Sequence, residues 1–371
     1  MKKILYILVI VVIAGLTGNL TACQKAPRFE QQRVQLDIVP TVVTTPETKW
    51  VLFPDVSGNM PNASSFGLFI CDHYTGSYTD GSNPYTEYAV RFNNIRAYRY
   101  DSWQYNYSGY SGFSTLYLGP KDEDLNGITD NTCDIFAYAP HQEGVTRLES
   151  IPFNISNAVD VLYVEQNAHP TINKNINPAD YIPSPGHLAV PLTFHHALSL
   201  LEFDFRLKNH DFEHPMDPAA THKYTLQSIR IDRLGGHLYS SGTMNAMTGG
   251  VLSNLTDVTS ITYSSPDGYN GGVGVWPDSN PARAYMLQVP TQTGEDYQDG
   301  DYLFTFTFSG QVFPVTFTLM RNHIKHSDDT YGFQPGYKYT FNFEIDNYVH
   351  FEGVTIGEWE AVTTPAMQTE I

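Results

Sequence analysis

The sequence predicts an all-β protein built from antiparallel β-sandwiches. Apolar and polar residues alternate with a period of two, aromatic residues are abundant (25 Tyr and 21 Phe), and 28 Gly and 23 Pro punctuate the chain. Successive side chains of a strand point to opposite faces, so this period predicts one apolar face for a core and one polar face for water. A chain of 371 residues is long enough for two such domains.

Four segments show the alternation most clearly. Apolar residues occupy every second position of residues 201–207 and 337–345, between charged or polar residues. Phenylalanines alternate with threonines in residues 304–308, and the pattern resumes at residues 315–319 after Ser309-Gly310. These last two segments therefore predict a β-hairpin.

The N-terminus carries an export signal. Lys2 and Lys3 precede an apolar run over residues 4–16, and Leu20-Thr21-Ala22-Cys23 resembles a bacterial lipobox. We therefore expect residues 1–22 to be a lipoprotein signal peptide and Cys23 to carry fatty acyl chains such as palmitate, which hold the protein on a membrane. The alternative is an ordinary signal peptide whose cleavage site happens to adjoin a cysteine.

The rest of the chain divides at a stretch rich in Pro and Asn, residues 167–186, which lacks apolar alternation. We expect a lipidated N-terminal segment over residues 23–49, one sandwich over residues 50–185 and a second over residues 186–371. With Cys23 assigned to lipid, Cys71 and Cys133 remain, each in a strand-like segment. A disulfide requires Cα atoms within about 7 Å, and the sequence leaves both a disulfide and two buried thiols open.

Charge and motifs exclude several function classes. The formal net charge of −18 disfavours nucleic acid as a partner, because few basic residues are available to contact phosphates. No nucleotide-binding or hydrolase motif is present, so we expect no enzymatic activity, no cofactor and no dedicated metal site. His195 and His196 are adjacent and would face opposite sides of a strand. We expect the pair His323 and His326 to lie in a solvated turn.

One acidic segment matches part of a calcium loop. Asp122, Asp124 and Asn126 stand at positions 1, 3 and 5 of a calcium-loop pattern, with Gly127 at position 6 and Asp130 at position 9, but Cys133 occupies the closing position 12. This segment is either a weak calcium loop or an acidic turn between strands. Aromatic residues are dense in residues 98–117, and they either form a platform for a glycan or coat a sheet.

Several motifs together resemble the fimbrillin-like lipoproteins that build fimbriae in Bacteroidales. Besides the lipobox, they comprise Asp134-Ile-Phe-Ala-Tyr-Ala-Pro140, Val190-Pro-Leu-Thr-Phe-His-His-Ala-Leu-Ser-Leu-Leu-Glu-Phe203, Tyr285-Met-Leu-Gln-Val-Pro290, Pro335-Gly-Tyr-Lys-Tyr-Thr-Phe341 and Val354-Thr-Ile-Gly-Glu-Trp359. The resemblance implies two tandem transthyretin-like Greek-key β-sandwich domains and a structural, non-enzymatic subunit of a pilus stalk, tip or anchor. It also implies other fimbrial subunits and a host or bacterial surface ligand as partners, and adhesion as the role. The precursor would reside in the cell outer membrane and the mature subunit in the fimbrium. The alternative is a monomeric surface lipoprotein that binds glycans through its aromatic residues.

The resemblance further implies assembly by strand donation. In that family a trypsin-like protease removes an N-terminal strand, and a strand from another subunit fills the vacated groove. Residues 34–43 are the candidate removable strand: a cut after Arg33 would leave it attached, and a cut after Lys49 would release it. The alternative is a constitutive first strand that is never removed. The candidate donor comprises Val354, Ile356 and the tail over residues 361–371.

Overall fold

The computed structural model describes residues 34–42, 65–72, 90–99, 103–106, 117–118, 133–157, 159–164, 187–207, 224–264, 273–275, 282–308, 314–345 and 349–359. Within these ranges lie strands and two short 3-10 helices, Ile155–Asn157 and Arg321–Ile324, and no α-helix. No helix in this part of the chain has the length and apolar character needed to cross a membrane. The all-β prediction is confirmed.

The strands are numbered in chain order. They are β1 (Val34–Val42), β2 (Ser65–Asp72), β3 (Val90–Arg99), β4 (Trp103–Asn106), β5 (Tyr117–Leu118), β6 (Cys133–Ala139), β7 (Ile151–Asn154), β8 (Leu162–Val164), β9 (His187–His196), β10 (Ser199–Leu207), β11 (Tyr224–Arg233), β12 (Tyr239–Asn245), β13 (Val251–Asp257), β14 (Ser260–Ser264), β15 (Val273–Val275), β16 (Ala282–Gln288), β17 (Tyr302–Phe308), β18 (Val315–Thr318), β19 (Tyr337–Ile345) and β20 (Val349–Glu358).

These strands form four sheets. The first sheet has eight strands in the order β4-β3-β2-β6-β8-β9-β1-β5. The others follow the orders β13-β12-β7, β16-β10-β19-β20 and β14-β11-β17-β18, with β15 paired to β11. Most pairs are antiparallel, but β1 pairs with β9 and β10 with β19 in parallel. A period of two is the same for both pairings, so the sequence pattern could not distinguish them.

The C-terminal half contains a sandwich with an aromatic core. Phenylalanines of β10 and β19 face those of β17, with ring centroids 5.5 Å apart for Phe203 and Phe306, 5.3 Å for Phe205 and Phe308, and 5.1 Å for Phe306 and Phe343. These edge-to-face arrangements suit the quadrupoles of the rings. The predicted hairpin is confirmed, since β17 pairs with β18 through Phe304 and Phe317.

One expectation about this sandwich is wrong. The polar residues of β10 were expected to face water, but Glu202 and Asp204 are each only 3% exposed. Both residues lie on an inner strand, between β16 and β19, where long side chains of the neighbouring strands such as Lys338 reach over them. The Lys338 ammonium lies 3.1 Å from a carboxylate oxygen of Glu202, and the Arg206 guanidinium lies 3.3 Å from Asp204. Such ion pairs offset the cost of burying a carboxylate.

The chain passes between the first sheet and the C-terminal sandwich without a long connection. β9, the last strand of the first sheet along the chain, is followed after Ala197 and Leu198 by β10. A strand from the N-terminal half, β7, likewise pairs with a strand from the C-terminal half, β12. Sheet membership therefore crosses residue 186, and the predicted domain boundaries stay predictions. A single hydrophobic core includes Phe69 and Tyr138 of the first sheet together with the phenylalanines of the sandwich.

Candidate assembly site

The N-terminal strand occupies an inner place in the first sheet. The segment predicted as strand 34–43 forms β1, Val34–Val42. β1 runs parallel to β9 from Gln35 beside His187 to Val42 beside Phe194, and it pairs with β5 at two residues. Both neighbours lie far along the chain, so tertiary structure and not a local turn brings β1 to this place.

β9 is the main neighbour of β1 in the sheet. Three of its residues in register with β1 are buried, with exposed fractions of 1%, 0% and 0%: Val190, Leu192 and Phe194. The register places Ile38 beside Val190, and Val42 beside Phe194. The apolar positions of the two strands thus alternate in step along this part of the sheet.

β9 depends on β1 for most of its pairing. On its other side β8 pairs only with the last three residues of β9, 194–196. Among the strands that the structure describes, residues 187–193 of β9 therefore have β1 as their one neighbour. Without β1 this stretch would present unpaired backbone groups beside buried apolar residues, and such an edge readily binds another strand.

Two prolines lie within the ladder between these strands. Pro40 of β1 lies beside Leu192, and Pro191 of β9 lies beside Val39. Proline has no backbone N–H and cannot donate to a ladder, so it is found mainly in edge strands. The ladder nevertheless runs through both prolines without a shift in register.

The far end of β9 carries a buried polar cluster, formed by Asp160, His196 and Trp359. His196 Nδ1 contacts Asp160 Oδ2, and both side chains are fully buried. The other carboxylate oxygen of Asp160 accepts a hydrogen bond from the backbone N–H of Val161, at 2.8 Å. The ring of Trp359, 1% exposed, stacks on the His196 ring with centroids 3.5 Å apart. The cluster therefore joins the first sheet to the end of β20.

The backbone of Gly336 also connects the two segments that meet at this junction. Its N–H donates to the carbonyl of Leu198 at 2.9 Å, and its carbonyl accepts from the N–H of Trp359 at 2.6 Å. Gly336 has φ of 72°, which glycine adopts without strain. The motifs 190–203, 335–341 and 354–359 of the sequence analysis thus meet at this one place.

Two histidine pairs were singled out in the sequence, and the structure agrees with the expectation for one pair and not for the other. His195 and His196 do face different surroundings, because His195 lies near Tyr163 and His196 is buried on Trp359. The expected solvated turn around His323 and His326 is wrong. His326 is 8% exposed and its Nε2 lies 2.8 Å from the hydroxyl of Tyr339. Among the described residues no group of His, Cys, Asp or Glu is arranged to hold a metal ion.

Most residues predicted as sites lie outside the described residues: Cys23, Arg33, Lys49, Asp122, Asp124, Asn126 and Asp130. The lipidation, processing and calcium-loop predictions therefore stay predictions. The strands that carry the other two cysteines, β2 and β6, are neighbours, and the register places Cys71 beside Asp134 and Cys133 beside Asp72. The two cysteine positions are therefore offset by one residue in the register of adjacent strands.

The described strands of the aromatic segment lie at opposite ends of the strand order of the first sheet. Tyr98 and Trp103 belong to β3 and β4, at one edge of the first sheet, whereas Tyr117 belongs to β5, at the opposite end of the strand order. A cleft of about 310 Å³ lies elsewhere, between Pro140, Pro152 and Val161. The carboxylate that lines this cleft, Asp160, is already engaged by His196.

Comparison with known proteins places this architecture in a family. The profile of the fimbrillin-like family matches residues 88–359. No curated protein matches the chain. A crystal structure from Bacteroides uniformis ATCC 8492, described as a candidate cell adhesion protein, is similar with a TM-score of 0.50 and 16% identity, covering 88% of this chain and 99% of that chain.

Two further solved structures are similar at lower scores. They are a fimbrial protein from Bacteroides vulgatus ATCC 8482, with a TM-score of 0.41, 14% identity and coverage of 88% and 99%, and the tip fimbrial protein Mfa3 from Porphyromonas gingivalis with a C-terminal truncation, with a TM-score of 0.42, 11% identity and coverage of 88% and 100%. The family profile spans most of the chain, including the junction built by Asp160, His196 and Trp359. This chain belongs to the fimbrillin-like family.

Proposed function

We propose that this protein is a structural subunit of surface fimbriae that contributes to adhesion and polymerises by strand donation. Membership of the fimbrillin-like family supports the role as a subunit at the cell surface. The observation that carries the mechanism is the position of β1, an N-terminal strand that provides the main pairing of β9. A strand in that place covers an acceptor groove until another strand replaces it.

The N-terminal sequence supplies a route for replacing β1. Lys49 follows β1 and is a site at which a trypsin-like protease could cut. After such a cut β1 would be held by non-covalent contacts alone, on a ladder that contains Pro40 and Pro191. The lipid on Cys23 would leave with the released segment, and the subunit would pass from the outer membrane into the fimbrium. Of the candidate donor, Val354 and Ile356 pair with β19 within this subunit. The tail over residues 361–371 would then fill the groove of the next subunit, in a head-to-tail filament.

The role proposed for the protein is structural and involves no chemical step. Its partners are other fimbrial subunits and a surface ligand, and no cofactor takes part. The separation of Tyr98 and Tyr117 on the first sheet weakens the alternative of a glycan-binding platform made by residues 98–117.

The experiment compares the full-length protein with Lys49→Gln and Arg33→Gln variants after limited trypsin treatment. Wild type and Arg33→Gln are expected to gain a mature N-terminus at Trp50 by mass spectrometry and to form ladders resistant to mild detergent. Lys49→Gln is expected to keep β1 and stay monomeric. A truncation of residues 361–371 is the matched control, since it should be cut normally yet fail to extend polymers. Polymers of uncut protein, or cut protein that never polymerises, would contradict strand donation.

A further inference from the structure

The strand that β1 covers and the residue that precedes the C-terminal tail are in contact at His196. This residue ends β9, the strand that β1 covers, and its ring carries the stacked ring of Trp359. Trp359 follows β20 directly and precedes the tail that the proposed function assigns to the next subunit. We propose that the stack of Trp359 on His196 couples the β1 position to the C-terminal tail, so that loss of β1 releases the base of the tail.

The pairing of β9 explains why β1 affects His196. β1 pairs with residues 187–194 of β9, and β8 pairs with residues 194–196. Once β1 leaves, residues 187–193 lose their one neighbour among the described strands, and β9 is paired at its last three residues only. His196 is one of these three, and a strand that frays up to its final pairs holds them less firmly.

The attachment of Trp359 explains why the tail responds. The ladder between β19 and β20 ends with Tyr337 beside Glu358, so Trp359 lies just beyond it. Two of the contacts of Trp359 are its stack on His196 and the bond from its N–H to the carbonyl of Gly336. Gly336 is in turn bonded to Leu198, two residues after His196. These two contacts therefore connect Trp359 to residues 196–198, where β9 ends and the chain leads into β10.

Coupling of this kind acts in both directions. If the departure of β1 weakens the hold on Trp359, then a weakened hold on Trp359 must favour the departure of β1 by the same factor. For assembly this means that a subunit with β1 in place keeps the base of its tail docked. A subunit thus becomes able to donate its tail at the same time as the place of β1 becomes able to accept the tail of another subunit. The inference rests on the proposed function and concerns the regulation of the same site.

The first test uses reciprocity and needs no polymerisation. Full-length protein cut after Lys49 is diluted, and the loss of the released segment is followed by size exclusion and mass spectrometry. Trp359→Ala is expected to lose β1 about tenfold faster than wild type, as an aromatic contact of this kind predicts. Trp359→Phe, which keeps a stacked ring, is expected to stay within about twofold of wild type.

Phe351→Ala is the matched control. Phe351 lies on the same strand, β20, but packs on Phe317 with ring centroids 4.4 Å apart, away from β9. This variant removes an aromatic ring from β20 without touching His196, so β1 should leave at the wild-type rate. If Trp359→Ala does not fold, Trp359→Leu provides the comparison, because it keeps an apolar side chain and removes the stack. Equal rates for the Phe351 and Trp359 variants would overturn the coupling.

The second test follows the tail directly by hydrogen exchange. In wild-type protein the amides of residues 355–359 are expected to exchange faster once β1 has been removed, while those of residues 337–345 stay protected. Unchanged exchange at residues 355–359 would reject the coupling. A synthetic peptide of residues 360–371 separates this failure from that of the proposed function. If the peptide binds cut protein but exchange at 355–359 is unchanged, strand donation stands and the coupling fails. If the peptide does not bind, strand donation fails, and the coupling is then accepted or rejected on the exchange at residues 355–359 alone.

Discussion

His196 and Trp359 lie face to face in the interior, with ring centroids 3.5 Å apart and planes inclined by 8°. One belongs to the first sheet and the other follows the last strand of the sheet that contains β10. Because the carboxylate of Asp160 contacts Nδ1 at the edge of the imidazole while Trp359 covers its face, the junction between the two sheets contains a buried polar pair. This arrangement makes the junction sensitive to single substitutions.

Removal of the carboxylate at this junction is expected to destabilise the protein. Asp160→Ala leaves the Nδ1 of buried His196 without its partner, and breaking a buried pair in this way costs about 3–5 kcal/mol. The free energy of unfolding, measured by urea denaturation, is the readout. The double variant Asp160→Ala/His196→Phe should recover part of the loss, because an apolar ring needs no partner. Asp232→Ala is the control, since Asp232 forms an exposed pair with Arg230 and such pairs contribute little. Equal losses in the single and double variants would contradict the pair.

A methyl group at Gly67 is expected to be poorly tolerated. A Cβ at this position of β2 would lie 2.1 Å from Cε1 of Tyr138, whose ring covers the glycine. Tyr138 is fully buried and its hydroxyl donates to Asn94 at 2.8 Å, so the ring has little room to move. Gly67→Ala should therefore cost about 1–3 kcal/mol through overpacking.

The Tyr138 ring provides the control for this prediction. In a Tyr138→Leu background the same Gly67→Ala substitution should cost clearly less, because the clashing ring is gone. A cost that is independent of residue 138, in urea denaturation of the four proteins, would show that the ring is not the cause.

The aromatic core of the sandwich is expected to depend strongly on Phe203. This fully buried ring of β10 lies 5.3 Å from Phe341 and 5.4 Å from Phe304, measured between centroids. Phe203→Ala leaves a cavity among rings from β17 and β19 and should cost about 3–5 kcal/mol. Phe203→Leu should cost less than the alanine variant, since it fills more of the space. Thermal and urea unfolding of the uncut protein measure both, and equal costs would argue against a cavity.

Stability is expected to fall as the pH drops below 6.5, in part through His323. Burial lowers the pKa of His323 from its ordinary value of 6.5, although Asp299 acts against this. The neutral ring accepts a hydrogen bond from the backbone N–H of Met320, at 3.1 Å, which an imidazolium could not accept. The unfolded chain thus binds more protons below pH 6.5, so this contribution is complete above that pH and declines as the pH falls towards the folded pKa.

The measurement is the free energy of unfolding between pH 7.5 and pH 5 for wild type and His323→Gln. The variant should show a smaller decline, because glutamine accepts a hydrogen bond and does not titrate. Some decline should remain, since burial and the neighbouring Arg96 also lower the pKa of His141. An identical decline in the two proteins would exclude His323 as a contributor.

The sequence alone was sufficient for the features that depend on local alternation. The period of two predicted β10, β17, β18 and β19, and the hairpin joining Phe304 to Phe317, because side-chain direction in a strand follows from chain geometry. It also led to the fimbrillin-like family, since motifs in a fixed order can be recognised in the sequence without knowing which residues are in contact. The lipobox, the cut near Lys49 and the donor tail are predictions of the same origin.

Only the tertiary structure decided which distant segments touch. No local pattern shows that β1 lies along β9 in parallel, that Glu202 is buried beside Lys338, or that Asp160, His196 and Trp359 form one cluster. Sheet order and register between remote strands are set by the packing of the whole core. Each strand has two edges, and the core determines which other strands pair with them. For that reason alternation identifies a strand, whereas its neighbours depend on the rest of the chain.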